Sequence, residues 1–286
     1  MPAAAFQAAC IGGRMLLASA LLALAGATSL PATGNFHQEY SRIYPLSARG
    51  RVSLQNINGD VHIRAWDRNE VRIAAVKTAS SKGLLNEARV TIDSSADSIS
   101  IRTRFGDGST TNPGSVEFTV MVPRHARLSE IKAINGAVDI EGVSGGINAS
   151  SVNGPVRAAK IAGDVRLSTV NGKLEATFER LSDAKTISMI SVNGPISLSI
   201  PYDAGVEFNA RNVTGGIDND FGLHVIHHRY VGHELRGDIG SGGARIKLEN
   251  VNGRIDIRHA QDGRSMSPVK DRSHRDKDED GDDDSI

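Results

Sequence analysis

Cysteine is almost missing from this chain: one thiol, Cys10, lies near the start, ahead of an apolar run. It cannot be a lipid-bearing cysteine placed just after that run. Once a leader is removed, no disulfide, Cys nucleophile or Cys-ligated zinc remains available. Aromatic residues make up only 4% of the chain, with Trp66 the sole tryptophan. Such a composition suits a narrow interior of Val, Ile, Leu and Ala better than a broad globular core. Net charge is zero over the 286 residues, so no global field favours nucleic acid or an acidic membrane. The apolar run Met15–Ala27 has thirteen residues, short of the roughly 20 that a spanning helix needs.

That run instead has the parts of a secretory signal. Arg14 supplies the positive charge and Ala25-Gly26-Ala27 a small-residue cleavage site, so residues 1–27 are read as a signal peptide. Cleavage removes one arginine and no acid, which leaves a balance of −1 and no transmembrane segment. A periplasmic or secreted location is expected. Residues 28–48 contain Pro31, Gly34 and Pro45 without a sustained period and read as a linker. Residues 49–125 read as an N-terminal β region, because Val52/Leu54, Val61/Ile63, Val71/Ile73, Ile99/Ile101 and Val116/Phe118/Val120 alternate at period two. A short helix is expected only at 81–88. Residues 126–260 form the repeat region, and 261–286, apolar-poor and charge-rich, are expected to be disordered.

The repeats carry most of the information. From Ala133 to Thr177 run five nine-residue units, AINGAVDIE, GVSGGINAS, SVNGPVRAA, KIAGDVRLS and TVNGKLEAT, with further copies at 56–64, 191–199, 212–220 and 250–258. The Asn-Gly pairs Asn135-Gly136, Asn153-Gly154, Asn171-Gly172, Asn193-Gly194 and Asn252-Gly253 mark turns. Asn-Gly between apolar alternations ordinarily signals a two-residue hairpin, hence an antiparallel meander. Pro155 and Pro195 argue against it, since they occupy the position whose N–H must be donated across such a hairpin.

The preferred reading is all-β, a parallel β-solenoid with rungs of about 18 residues made of two 9-residue units. The N-terminal strands would continue or cap it. At a step of eighteen, Ile134, Val152 and Val170 align, as do Val138, Val156 and Leu174, then Ile140, Ala158 and Ala176, and opposite them Val143 with Ile161 and Ile147 with Val165. All are expected to point inward. Asn135, Asn153 and Asn171 would stack about 4.8 Å apart, and Asp139, Arg157 and Glu175 would alternate charge along the outer surface. A meander shares the eighteen-residue parity, so the prolines and the asparagine stacking decide for the solenoid.

Three stretches together resemble the bacterial putative-adhesin domain family of unknown function. They are Asn58-Gly59-Asp60-Val61-x-Ile63-Arg64-x-Trp66, Phe118-x-Val120-x-Val122-Pro123, and the Val-Asn-Gly series from Asn135 to Asn252. The similarity runs over about 50–259. It implies a β-solenoid that is exported or on the cell envelope, with adhesion as a proposed role and no catalytic motif to transfer.

Candidate sites are few. His224, His227, His228 and His233 lie within ten residues and are the metal candidates, for zinc or copper. They do not match the His-Glu-x-x-His pattern, and a solvated strand or loop accounts for them as well. Asp276, Asp278, Asp280 and Gly281 open like a calcium loop whose twelfth ligand would fall beyond Ile286, so they read as a solvated acidic tail. The glycine-rich 237–243 stretch lacks a following helix and reads as a corner; Trp66 reads as a core or cap residue. No catalytic residue and no cofactor is expected. The leading function is a non-enzymatic adhesin or envelope structural module whose partner is an envelope or extracellular protein or glycan. A carbohydrate-active enzyme using Asp139 and Glu175, or an envelope signalling accessory protein, are the alternatives.

Overall fold

A computed structural model describes residues 35–106, 114–228, 231–260 and 267–272. The expected signal peptide and calcium-like acidic stretch lie outside the described residues. The N-terminal elements are β1 (Phe36–Pro45), β2 (Arg51–Asn58), β3 (Val61–Trp66), β4 (Glu70–Ala79), α1 (Lys82–Glu87), β5 (Arg89–Ser94), β6 (Ser98–Arg104) and β7 (Ser115–Pro123). The repeats supply β8 (Arg127–Asn135), β9 (Val138–Glu141), β10 (Ile147–Asn153), β11 (Val156–Ile161), β12 (Val165–Asn171), β13 (Leu174–Phe178), β14 (Thr186–Asn193) and β15 (Ile196–Ile200). They are followed by β16 (Val206–Thr214), β17 (Ile217–Asn219), β18 (Val225–His227), β19 (His233–Ile239), β20 (Ala244–Asn252), β21 (Ile255–His259) and β22 (Val269–Asp271).

The protein is all-β, with two largely parallel sheets. Sheet A has the order β1-β4-β7-β3-β9-β11-β13-β15-β21-β17, and sheet B the order β18-β19-β16-β20-β14-β12-β10-β8-β2-β6-β5. Each Asn-Gly corner carries the chain from sheet B to sheet A, and a second corner returns it one place along. Ile147 is thus paired with Val165, and Val156 with both Val138 and Leu174, all in parallel. Side chains from both sheets meet in one core: Val138, Ile140, Val156 and Leu174 from A, and Leu128, Ile131, Val165 and Leu167 from B.

The corner hydrogen bonds show why hairpins fail. Gly136 N donates to Asn153 O (3.1 Å), Gly154 N to Asn171 O (2.9 Å) and Gly172 N to Asn193 O (2.9 Å), so corner amides reach the neighbouring strand instead of closing on their own turn. The next residue has no such ladder bond; Ala137 N is satisfied by Asp60 Oδ1 at 2.8 Å. Pro155 and Pro195 occupy that same place and need no partner there.

One expectation fails at the same corner. Ile134, Val152 and Val170 do not point inward; they are 44%, 41% and 40% exposed. Alternation carried back across the corner from Val138, Val156 and Leu174 would have buried them, but the inward residues that flank the corner, Ser151 and Val156, are five apart. An odd step changes the parity, and the corner rather than the strand absorbs the change.

The stack is not sequential at its C-terminal end. β20 pairs with β14 on one side and β16 on the other, so the chain leaves a place after β15 that β20 and β21 fill later. Sheet B finishes at both ends in antiparallel strands, β5 on β6 and β18 on β19. Sheet A finishes at one end in antiparallel β1 on β4 and at the other in the three-residue parallel strand β17 on β21; antiparallel or very short edge strands limit what another strand could extend. Two boundaries differ from expectation. β1 lies within the expected linker 28–48 and pairs along its length with β4; as an exposed edge strand it is held by backbone bonds and carries no hydrophobic period. β22 lies within the expected disordered tail and pairs with β19, anchored where Arg272 reaches the buried carboxylate of Asp238 at 2.5 Å. The ion pairs of Arg272 with Asp238 and Glu207 and three strand residues hold a segment whose composition alone argues for disorder. The short helix α1 sits within the expected range, capped by Ser81 Oγ, which accepts from Leu84 N.

Candidate functional site

The Asn-Gly edge is the most ordered polar feature of the surface. Asn135 Nδ2 donates to Asn58 Oδ1, Asn153 to Asn135, Asn171 to Asn153, Asn193 to Asn171 and Asn252 to Asn193, each at 2.9 Å. Six amides thus form one continuous ladder. Asn58 joins from a distant part of the sequence. Gly154 is required by close approach: a Cβ there would overlap the Gly136 carbonyl oxygen, although its φ is ordinary.

A second polar column, unnoticed in the sequence, lines the inside of the same edge. Ser151 Oγ donates to Gly136 O (2.9 Å) and Thr169 Oγ1 to Gly154 O (3.0 Å). At the two ends Asn56 Nδ2 bonds to Val116 O (2.7 Å) and Asn212 Nδ2 to Gly253 O (2.7 Å). These buried side chains satisfy corner carbonyls that the sheets leave over. The signal was a polar residue two places before most corner asparagines, where the apolar pattern should have continued: Asn56, Ser151, Thr169, Ser191 and Asn250, with Ala133 the exception.

Between the two columns, on the outside, run Ile134, Val152, Val170, Val192, Val251 and Val213, from 37% to 48% exposed. The registers of the adjacent residues put them in one row across successive strands. The result is a narrow apolar stripe beside an amide ladder, repeating at the strand spacing of about 4.8 Å.

The outer face of sheet A is different. Arg157 stands in register between Asp139 and Glu175, and its Nε lies 3.9 Å from Glu175 Oε1. Lys173 bridges to Glu175 (2.8 Å), Lys160 to Glu141 (2.9 Å) and Arg258 to Asp220 (2.8 Å). Lys160 holds the Glu141 carboxyl below the usual carboxylate range. The arrangement is a charge ladder, with a guanidinium separating the two carboxylates that an acid and base pair would need free.

The histidines do not converge. His227 and His233 are opposite each other on β18 and β19 with ring centroids 4.7 Å apart, edge to face. His228 Nε2 lies 3.5 Å from Glu234, and the backbone N of His224 donates to Asp271 Oδ2 (3.1 Å). Among the described residues no group of three or more His, Cys, Asp or Glu is placed to hold a metal. Glu234 serves instead as an ionic anchor: Arg236 and Arg211 contact it at 2.8 and 3.0 Å. Burial opposes its ionisation, yet the hydrogen bonds from the two guanidiniums outweigh burial and hold its carboxyl below the usual range. Trp66 is half-buried at the end of β3, donating from Nε1 to Glu70 O at 2.8 Å, with Arg68 over its ring. The 237–243 stretch turns from β19 into β20.

No protein-family profile matches the chain, and no curated protein does. Solved structures of bacterial putative adhesins do match, over 78% of the chain. A putative cell adhesion protein from Clostridium sporogenes is 11% identical, is covered over 100% of its own length and has a TM-score of 0.45. A putative adhesin from Bacteroides fragilis is 10% identical, with 97% of its length covered and a TM-score of 0.29. A putative lipid binding protein from Parabacteroides distasonis, 12% identical, is matched over 78% of this chain and 97% of its own, with a TM-score of 0.31. No activity or partner follows from likeness at this level. Among the described residues no helix is long and apolar enough to cross a membrane.

Proposed function

We propose that this chain is an exported, non-enzymatic β-solenoid, with rungs of about eighteen residues, acting as an adhesin-like or cell-envelope binding module. The observation that carries the reading is the exposed Ile134–Val213 row beside the six-asparagine ladder. A rigid stack repeats the same weak contact many times, and a partner that engages several rungs gains from each. The partner is an envelope or extracellular protein or glycan, met in the periplasm or outside the cell. The charge ladder around Arg157 supports a structural rather than a catalytic role for Asp139 and Glu175.

Cell fractionation with N-terminal sequencing tests export: the product should begin at residue 28 outside the cytoplasm, and an uncleaved cytoplasmic product would overturn the reading. Labelled purified protein should bind intact cells, and Val152→Glu with Val170→Glu should weaken that binding by about tenfold, a loss of ~1.4 kcal/mol. Cleavage of polysaccharide by the wild type that is lost in Asp139→Asn would replace the binding module with an enzyme.

A further inference from the structure

Sheet B carries, away from the asparagine edge, an open groove of about 610 Å³. Its rim holds Arg51, Arg127 and Arg166, with Ser129, Asn148 and Thr186 between them. Arg51 and Arg127 are register partners on β2 and β8; Arg166 faces Asn148 across β12 and β10. The three guanidiniums thus come from distant parts of the sequence and share one surface only because the strands stack.

Two observations set this groove apart. The first is charge. Among the described residues none of these three arginines makes an ion pair or a side-chain hydrogen bond, and all three are exposed. Many cations elsewhere on the two sheets sit beside acids, as in Arg245–Glu207, Lys247–Glu249, Lys132–Glu130 and the sheet A ladder. Among the described residues Arg72, Arg89, Arg102 and Arg104 are also without an ion pair, but none of them lines this groove. The one acid lining the groove, Asp164, has Oδ1 occupied by the backbone N–H groups of Lys185 (2.7 Å) and Thr186 (3.0 Å). Because the whole chain is neutral, this excess is local. The second is backbone geometry. β8 takes an extra residue at Ser129 and Glu130 against both neighbouring strands, since Leu128 and Ile131 oppose Ile147 and Ala149, and Val52 and Ser53 oppose Leu128 and Glu130. Such a bulge bends the strand and re-aims its side chains. The displaced Ser129 carbonyl accepts from Asn148 Nδ2 at 3.1 Å, fixing that amide in the groove.

We propose that this groove binds an acidic polysaccharide, with Arg51, Arg127 and Arg166 pairing to successive acid groups and Asn148, Ser129 and Thr186 meeting its hydroxyls. A guanidinium presents a planar fork that matches carboxylate or sulfate oxygens. A row of three in an open groove fits a repeating anion better than a single small one. No aromatic side chain lines the groove, so no ring offers nucleobases a stacking platform. The side chains of Leu128, Ile147 and Val165 are buried and are not offered to an acyl chain. The inference narrows the glycan arm of the proposed function and rests on the protein meeting glycans outside the cytoplasm, but it concerns a different surface from the valine row.

Calorimetric titration of the purified full chain tests it, with oligogalacturonate as the carboxylate probe and a sulfated dextran as the sulfate probe. Neutral dextran, single-stranded DNA of matched charge and anionic vesicles are the controls. Saturable binding to at least one acidic glycan is expected, weakening with salt. Arg127→Ala with Arg166→Ala should lower affinity by about tenfold or more, and Arg127→Lys should fall between, because it keeps the charge and loses the fork. Arg258→Ala on sheet A should change affinity by less than about twofold. Thermal unfolding of each variant should match the wild type. Equal binding of DNA or vesicles, no loss in the double arginine variant, or no binding to either acidic glycan would overturn the proposal. No glycan binding by the wild type together with intact attachment to cells would sink the groove and leave the adhesive reading standing; glycan binding by a protein that proves cytoplasmic would do the reverse.

Discussion

The asparagine edge and the outer groove of sheet B lie on the same strands, yet they use polar residues in opposite ways. At the edge nearly every donor and acceptor is committed to the next strand: corner amides to asparagine carbonyls, asparagine amides to one another, Ser151 and Thr169 to glycine carbonyls. In the groove the guanidiniums of Arg51, Arg127 and Arg166 make no ion pair or side-chain hydrogen bond among the described residues. Substitutions of the hydrogen-bonded edge residues should therefore change stability and leave glycan binding alone, and substitutions in the groove should do the reverse.

The largest effect that could break this contrast is Gly154→Val. Its side chain would collide with the Gly136 carbonyl, backbone against which nothing can yield, so a loss on the order of 3 kcal/mol or more is expected in denaturant unfolding. A variant of unchanged stability would mean that the corners are not stacked as described. Next comes a neighbouring pair. Thr169→Val keeps the shape and removes the hydroxyl that satisfies Gly154 O in a buried setting, which should cost ~1–3 kcal/mol. Val170→Thr, one residue on but outward, should stay within about 0.5 kcal/mol. Equal costs at the two positions would undo the assignment of their faces.

Acid provides a more local test. Glu234 ionises more readily in the folded state because Arg211 and Arg236 hydrogen-bond its carboxylate against the cost of burial. A carboxyl depressed in this way contributes stability that is full above its unfolded value of about 4.3 and is lost as pH falls through its lower folded value. Below about pH 4, β19 should exchange its amide hydrogens before β12 does, measured by mass spectrometry. Glu234→Gln should remove that pH dependence. The smallest effect belongs to the charge ladder: Arg157→Ala should shift stability by no more than ~1 kcal/mol, and less in high salt, because both partners are solvated.

Much of the fold was readable from local chemistry. The nine-residue glycine period, the asparagines at steps of eighteen and the two prolines after Asn-Gly together point to parallel stacking, and the stacked amides and the Asp139–Arg157–Glu175 alternation are present. The inward assignment of Ile134, Val152 and Val170 failed because period-two reasoning carries through a strand but not through a corner that absorbs an odd step. β1 was missed because an exposed edge strand is held by backbone hydrogen bonds and leaves little trace in side-chain pattern. The histidines, close in sequence, separate because β18 and β19 turn back on each other and pair only His227 with His233.

By itself the sequence determined the repeat, the position of its corners and the direction of stacking, since each depends on residues within one or two units: a glycine that leaves room, a proline without a donor, an asparagine that can bond to its own kind. Tertiary structure alone decided which valines face out, that β20 enters between β14 and β16, and that residues 51, 127 and 166 share a groove. Those outcomes depend on register between strands far apart in the chain, and register is set by how the two sheets close over a common core.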